Sequence, residues 1–257
     1  KFIMISPKLK VIRPSTPMYG NLKTKNIVNE AIFGEEVTKL DQKKDWFYSE
    51  LSTDNYRGWI YSKDLGELPQ ENYKICCIRT FIKEKPDVKS NNVHYLPFQA
   101  KIFVDEVINN WAKVKLSKFH LHDFGYIYKR DIQKINTIEK DWVKAAKKLI
   151  NVPYLWGGRD TKGLDCSGLL QLALQAGGIL FPRDTSKQII CKKLYLIHKK
   201  DISRGSLVFW DGHVGIMLDK KNILHANAFH MNVTVEPLNE ACTRMKNELC
   251  YNLTKVK

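Results

Sequence analysis

Two stretches in the first half of this 257-residue chain repeat one another. Asp45-Trp46-Phe47-Tyr48 is followed by Gly58-Trp59-Ile60-Tyr61-Ser62-Lys63-Asp64-Leu65. Asn110-Trp111-Ala112-Lys113 is followed by Gly125-Tyr126-Ile127-Tyr128-Lys129-Arg130-Asp131-Ile132. Gly58 lies twelve residues after Trp46, and Gly125 fourteen after Trp111. A strand-like run precedes each copy, Glu36 to Leu40 and Lys101 to Val107. Short alternating runs separated by polar turns predict small β-barrels, and repetition predicts the same fold twice. Two unrelated hairpins would share aromatic residues, but not also the order, the spacing and the terminal Asp-Leu or Asp-Ile.

Each copy has a Trp ahead of a loop and then Gly-aromatic-Ile-Tyr, which resembles bacterial SH3-like domains. Linkers near Leu68-Pro69-Gln70 and from Lys134 to Thr137 divide the chain. The expected domains are residues 1–68 for the first barrel with an N-terminal extension, 69–135 for the second barrel, and 136–257 for a third domain of different character.

The pattern changes in this last part. Trp142, Val143, Ala146, Leu149 and Ile150 have helical spacing and predict a helix from Glu139 to Ile150, with Asn136 and Glu139 at capping-box spacing. A second helix is predicted from Cys166 to Ala176, ended by Gly177-Gly178 and N-capped by Asp165. Strands are expected over 206–210, 213–218, 222–225 and 233–236. Helices followed by antiparallel strands make an α+β domain. Hydrophobic residues form 44% of the chain, enough to bury several cores.

The net charge of +15 is carried by lysines in ones and twos, without a basic tract interleaved with aromatics. It is read as a solvated surface, and no nucleic-acid partner is expected. No run reaches the ~18 apolar residues of a membrane helix, so no membrane span is expected. Phe2 to Ile5 is shorter than the roughly 7–15 apolar residues of a signal peptide. The six cysteines include no C-x-x-C pair. Reduced thiols and a cytoplasmic setting are expected, with a periplasmic or secreted one as the alternative and a Cys242–Cys250 bridge open in that case.

Cys166 opens its predicted helix, where the positive end of the macrodipole would lower the thiol pKa. By itself a cysteine at a helix start is more often an inert structural residue than a catalytic one. His213 starts a hydrophobic strand after the Asp211-Gly212 turn, and His225 falls twelve residues on, in the neighbouring strand. His213 can serve as base to a Cys166 nucleophile, with His225 orienting its ring. A metal bound by these three residues would lack a suitably spaced fourth ligand, so no metal site is expected.

Six motifs occur in order: Tyr-x-Trp-Gly-Gly from Tyr154, Asp-Cys-Ser-Gly-Leu from Asp165, Pro-Arg-Asp-Thr-Ser-x-Gln from Pro182, Gly-Ser-Leu-Val-Phe-Trp from Gly205, Gly-His-Val-Gly-Ile from Gly212 and Leu-His-Ala from Leu224. As a set they resemble the NlpC/p60 family of cell-wall peptidases over residues 138–237. Together with the two preceding barrels, the chain resembles the γ-D-glutamyl-L-diamino-acid endopeptidases of that family.

The resemblance implies a papain-like catalytic domain that needs no cofactor. It implies Cys166 as nucleophile, His213 as base and His225 as third catalytic residue. The Tyr154 hydroxyl and the Cys166 backbone N–H would stabilise the oxyanion, Ser167 and Thr185 would contact substrate, and Trp156 would wall the pocket. Thr185 stands where the family often has Ser. Asp184 would hold the free amine of an N-terminal L-Ala, with Glu30 and Tyr56 of the first barrel closing the pocket. The implied partner is a muropeptide. The implied reaction is hydrolysis of the γ-D-glutamyl bond to diaminopimelate or lysine. The alternatives are an inactive cell-wall-binding protein and an amidase or acyltransferase on the same scaffold.

Overall fold

A computed structural model describes residues 8–117, 123–245 and 252–256. Phe2 to Ile5, His120, His122 and Cys250 lie outside the described residues. The chain divides into two compact units, Lys1–Thr137 and Ile138–Lys257. The fold class is α+β, with an N-terminal unit built of strands and a mixed C-terminal unit.

Both repeat copies lie in the first unit. In the first copy, seven strands between Lys8 and Gly66 form one antiparallel sheet around Val11, Met18, Ala31, Val37, Leu51, Ile60 and Leu65. In the second copy, a five-stranded and a three-stranded sheet enclose a core that includes Ile75, Ile82, Leu96, Val114 and Ile127. The aromatic pairs keep the same register. Trp46 pairs with Tyr61, and Trp111 with Tyr128, their ring centroids 5.3 Å and 5.6 Å apart. The Asp ending each copy accepts a 2.7 Å hydrogen bond from a threonine of an earlier strand, Thr16 to Asp64 and Thr80 to Asp131. Phe33, from the first copy, is buried in the core of the second.

The predicted strand from Lys101 to Val107 is in fact two. Lys101–Ile102 pairs with Tyr73–Ile75 in the three-stranded sheet, and Val104–Ile108 pairs with Trp111–Lys115 in the five-stranded sheet. The chain changes sheet at Phe103, which a continuous apolar alternation does not show.

The second unit contains helices α1 (Trp142–Lys147), α2 (Cys166–Ala176), α3 (Thr185–Gln188) and α4 (Leu238–Arg244). The six-stranded antiparallel sheet runs, in spatial order, Leu194–Leu196, Asn252–Val256, Ser206–Trp210, His213–Met217, Asn222–Asn227 and Asn232–Pro237. Helix α2 has the predicted limits. Ten of its eleven residues are buried, so it is held by packing on all sides.

Helix α1 is shorter than its periodicity suggests. It starts at Trp142 because the Asp141 side chain accepts from the Lys144 N–H, while the Glu139 N–H donates to the Ala176 carbonyl. After Lys147 the backbone bonds tighten to the i to i−3 pattern, and Asn151 at φ 70° ends the turn.

Candidate active site

Three loop–element junctions meet at Cys166. Its side chain occupies the first turn of α2. Sγ lies 3.9 Å from the Gly212 carbonyl oxygen and 4.0 Å from the Thr185 hydroxyl at the start of α3. Backbone N–H groups of Val214 and Ser167 also donate toward the sulfur. The residue next to Gly212 is His213. Asp211 and Gly212 form a two-residue hairpin loop between register partners Trp210 and His213, with Gly212 at φ 69°.

Asp165 anchors the start of α2. Oδ1 accepts from the Gly168 N–H at 2.7 Å, the Ser167 hydroxyl at 3.1 Å and Arg183 Nη1 at 2.8 Å. Oδ2 accepts from the Gly157 N–H at 3.0 Å and Arg183 Nη2 at 2.7 Å. Ser167 and Arg183 are both buried. This one carboxylate thus ties the glycine-rich turn, the nucleophile-bearing helix and the segment before α3 together.

The imidazoles stand in line. His213 Nε2 is 2.8 Å from His225 Nδ1, and His225 Nε2 is 2.6 Å from Glu236 Oε1. Glu236 in turn accepts from Arg244 of α4. Ile223 and Glu236 are register partners, and His225 lies two residues from Ile223, so His225 and Glu236 share one face of the sheet. His225 is fully buried.

Burial, with the nearby charges of His225 and Arg244, lowers the His213 pKa to about 3. Burial also lowers that of His225, against the pull of Glu236. For Glu236 burial acts upward but is outweighed by the hydrogen bonds from Arg244 and His225, leaving its carboxyl below the usual range. The Cys166 thiol is pushed up, by burial first and by Asp165 second. Both act against the lowering expected of the helix terminus. Burial thus disfavours both the thiolate and the imidazolium. Burial and the charges of Cys166 and Asp165 push the Tyr154 phenol up to about 12, so it remains a hydrogen-bond donor. Among the described residues, no group of three or more His, Cys, Asp or Glu is placed to hold a metal ion.

Residues 151–249 match the model of the NlpC/P60 family. Dipeptidyl-peptidase 6 of Lysinibacillus sphaericus is 30% identical over 251 residues, covering 90% of this chain and 91% of its own. The chain belongs to the NlpC/P60 family. A γ-D-glutamyl-L-lysine dipeptidyl-peptidase of Bacillus cereus is 24% identical over 82% of this chain and 70% of its own length. The crystal structure of an NlpC/P60 family protein from Bacillus cereus superposes with a TM-score of 0.80 at 18% identity, covering 97% of this chain and 99% of that one, and shows the shared fold. Family and relatives agree on a hydrolase acting on peptides.

The residues marked by the NlpC/P60 motifs have distinct surroundings. Cys166, Thr185 and the turn before His213 come together, and His225 joins through His213. Tyr154 is half-buried, its N–H donating to the Met231 carbonyl, and its phenol feels the charges of Cys166 and Asp165. Trp156 is 72% exposed. Asp184 precedes α3 without capping it by its side chain. The Ser167 hydroxyl is engaged with Asp165 and Arg183 inside the protein.

In the other unit, Glu30 is buried on the strand Asn26–Ile32. Tyr56 packs on the first core and donates to the Val28 carbonyl. The NlpC/P60 motifs did not mark Glu236 or Arg244. Nothing in the alternating sequence Asn-Val-Thr-Val-Glu-Pro sets Glu236 apart from an ordinary strand polar residue, although the structure buries it.

Proposed function

We propose that this chain is a cysteine endopeptidase that hydrolyses the γ-D-glutamyl bond to a diamino acid in peptidoglycan-derived peptides bearing a free N-terminal L-Ala. The observation that carries this reading is the placement of Cys166 at the α2 terminus beside the turn leading to His213, whose ring is fixed by the 2.8 Å contact to His225. The names of the two relatives, a dipeptidyl-peptidase and a γ-D-glutamyl-L-lysine dipeptidyl-peptidase, support the substrate class.

His213 takes the thiol proton as Sγ adds to the γ-carbonyl carbon of D-Glu. Burial disfavours the thiolate and the imidazolium, so proton transfer accompanies attack. The Cys166 N–H and the Tyr154 hydroxyl donate to the oxyanion. His213 returns the proton to the departing amine of the diamino acid, and the C–N bond breaks. Water, deprotonated by His213, then hydrolyses the thioester and frees the thiol. Asp184, whose carboxylate does not cap α3, binds the L-Ala ammonium as a charge-assisted pair. Intact glycan-linked peptide, whose L-Ala amine is acylated, is excluded, which suits trimming or recycling of released peptides in the cytoplasm.

The test is mass spectrometry of L-Ala-γ-D-Glu-L-Lys, its diaminopimelate analogue and the N-acetylated form of each, with wild type and Cys166→Ala. Wild type should cleave only free-amine peptides, and Cys166→Ala none. Equal cleavage of the acetylated forms would remove the Asp184 assignment, and activity retained in Cys166→Ala would remove the nucleophile.

A further inference from the structure

We propose that Glu236 is a positioning residue that sets the proton pattern of both imidazoles and thereby keeps His213 Nδ1, the nitrogen not bonded to His225, unprotonated. The inference rests on the peptidase reading above and extends it beyond the three motif residues.

The direction of each hydrogen bond follows from the last acceptor in the row. An ionised carboxylate can only accept. Glu236 is held in that form by Arg244, which donates to the same oxygen that faces His225. The 2.6 Å contact therefore requires the proton of His225 to be on Nε2. His225 is fully buried and neutral, so its Nδ1 carries a lone pair and accepts. The 2.8 Å contact then requires His213 to donate from Nε2. A neutral imidazole has one N–H, so His213 Nδ1 is left as the base. When the thiol proton arrives at Nδ1, the imidazolium keeps its Nε2–H bond to His225, and no other proton needs to move. With the opposite tautomers, His225 would donate from Nδ1, His213 Nε2 would accept, and His213 Nδ1 would already carry a proton and could not take one from the thiol.

Arg244 is itself steadied. Its guanidinium stacks 4.4 Å from the Phe229 ring centroid, and α4, which carries it, begins directly after the strand of Glu236. The hairpin His225–Glu236 and the following helix thus close the row without help from the substrate.

The experiment is a ¹⁵N-resolved NMR assignment of imidazole protonation in the wild-type protein near neutral pH, alongside steady-state kinetics of Glu236→Gln and Glu236→Asp on the free tripeptide. The expected wild-type spectrum has Nε2–H on both His213 and His225. A glutamine can accept or donate, so Glu236→Gln should populate the other tautomers and lower kcat by about 10–100-fold with KM little changed. Glu236→Asp should restore the wild-type tautomers and part of kcat. A proton on His213 Nδ1 or His225 Nδ1 in the wild type would overturn the proposal even if the variants do not fold. So would a folded Glu236→Gln with wild-type kcat. A wild type that shows the expected tautomers but cleaves none of the peptides would sink the peptidase reading and leave the proton pattern standing.

Discussion

Arg183 holds Asp165 by two parallel hydrogen bonds of 2.8 Å and 2.7 Å, both side chains nearly out of solvent. A two-pronged pair of this kind fixes orientation as well as distance. It does so at the residue that caps α2 immediately before Cys166. The sequence showed Asp165 as a cap, and the structure adds Arg183 as its buried partner.

Removing Arg183 would leave the Asp165 carboxylate buried without its charge partner, and breaking a buried pair from one side costs about 3–5 kcal/mol. Arg183→Met is expected to lose that much in urea unfolding. Arg183→Met combined with Asp165→Asn should recover part of it, because the uncompensated charge is gone while a capping oxygen remains. A single variant within ~1 kcal/mol of wild type would contradict the anchoring role.

Acid should destabilise the second unit through its histidines. The folded-state pKa of His213 is lowered to about 3 from 6.5, so between those values the unfolded chain binds a proton that the folded one refuses. Stability from this residue is fully present above about pH 6.5 and is lost as pH falls toward 3. His225 acts in the same direction. Glu236, held below the usual carboxylate range, adds a loss at still lower pH. Unfolding free energies should fall by on the order of 1 kcal/mol per pH unit below 6.5, and His213→Gln should flatten that slope. Denaturant midpoints unchanged from pH 7.5 to pH 4.5 would refute the coupling.

The two repeat copies meet closely at Gly34. It stands at φ 80°, and a Cβ there would lie 2.0 Å from the Lys101 carbonyl oxygen. The neighbouring Lys101 N–H donates to the Phe33 carbonyl, and Phe33 is seated in the second core. Left-handed backbone costs an alanine about 1–2 kcal/mol and overpacking about 1–3 kcal/mol more. Gly34→Ala should therefore destabilise the first unit by at least ~2 kcal/mol, read from thermal and urea unfolding. A neutral effect would mean that the copies separate without penalty.

Local rules carried much of this chain. The limits of α2 follow from Asp165 at one end and Gly177-Gly178 at the other, and the strand of His213 from its turn and apolar run. The repeat marked which aromatic residues correspond, and the structure adds the Thr16–Asp64 and Thr80–Asp131 bonds that the pattern did not reveal. The start of α1 was not legible, because the capping-box spacing pointed to Asn136 and Glu139, ahead of the observed cap. Tertiary contact with Ala176 engages the Glu139 backbone and leaves the cap to Asp141.

The sequence by itself determined which residues would carry chemistry: a cysteine at a helix start, a histidine after a hairpin turn and a second histidine one strand on. Only the tertiary structure decided the state of these groups. Desolvation and Asp165 push the Cys166 thiol up, and Glu236, paired with Arg244, closes the row of contacts behind His213. The reason is physical. Propensity and capping act within a few residues and can be read along the chain. Burial and charge pairing depend on which distant segments exclude water together, here Asp165 with Arg183, and the strand of His225 with that of Glu236.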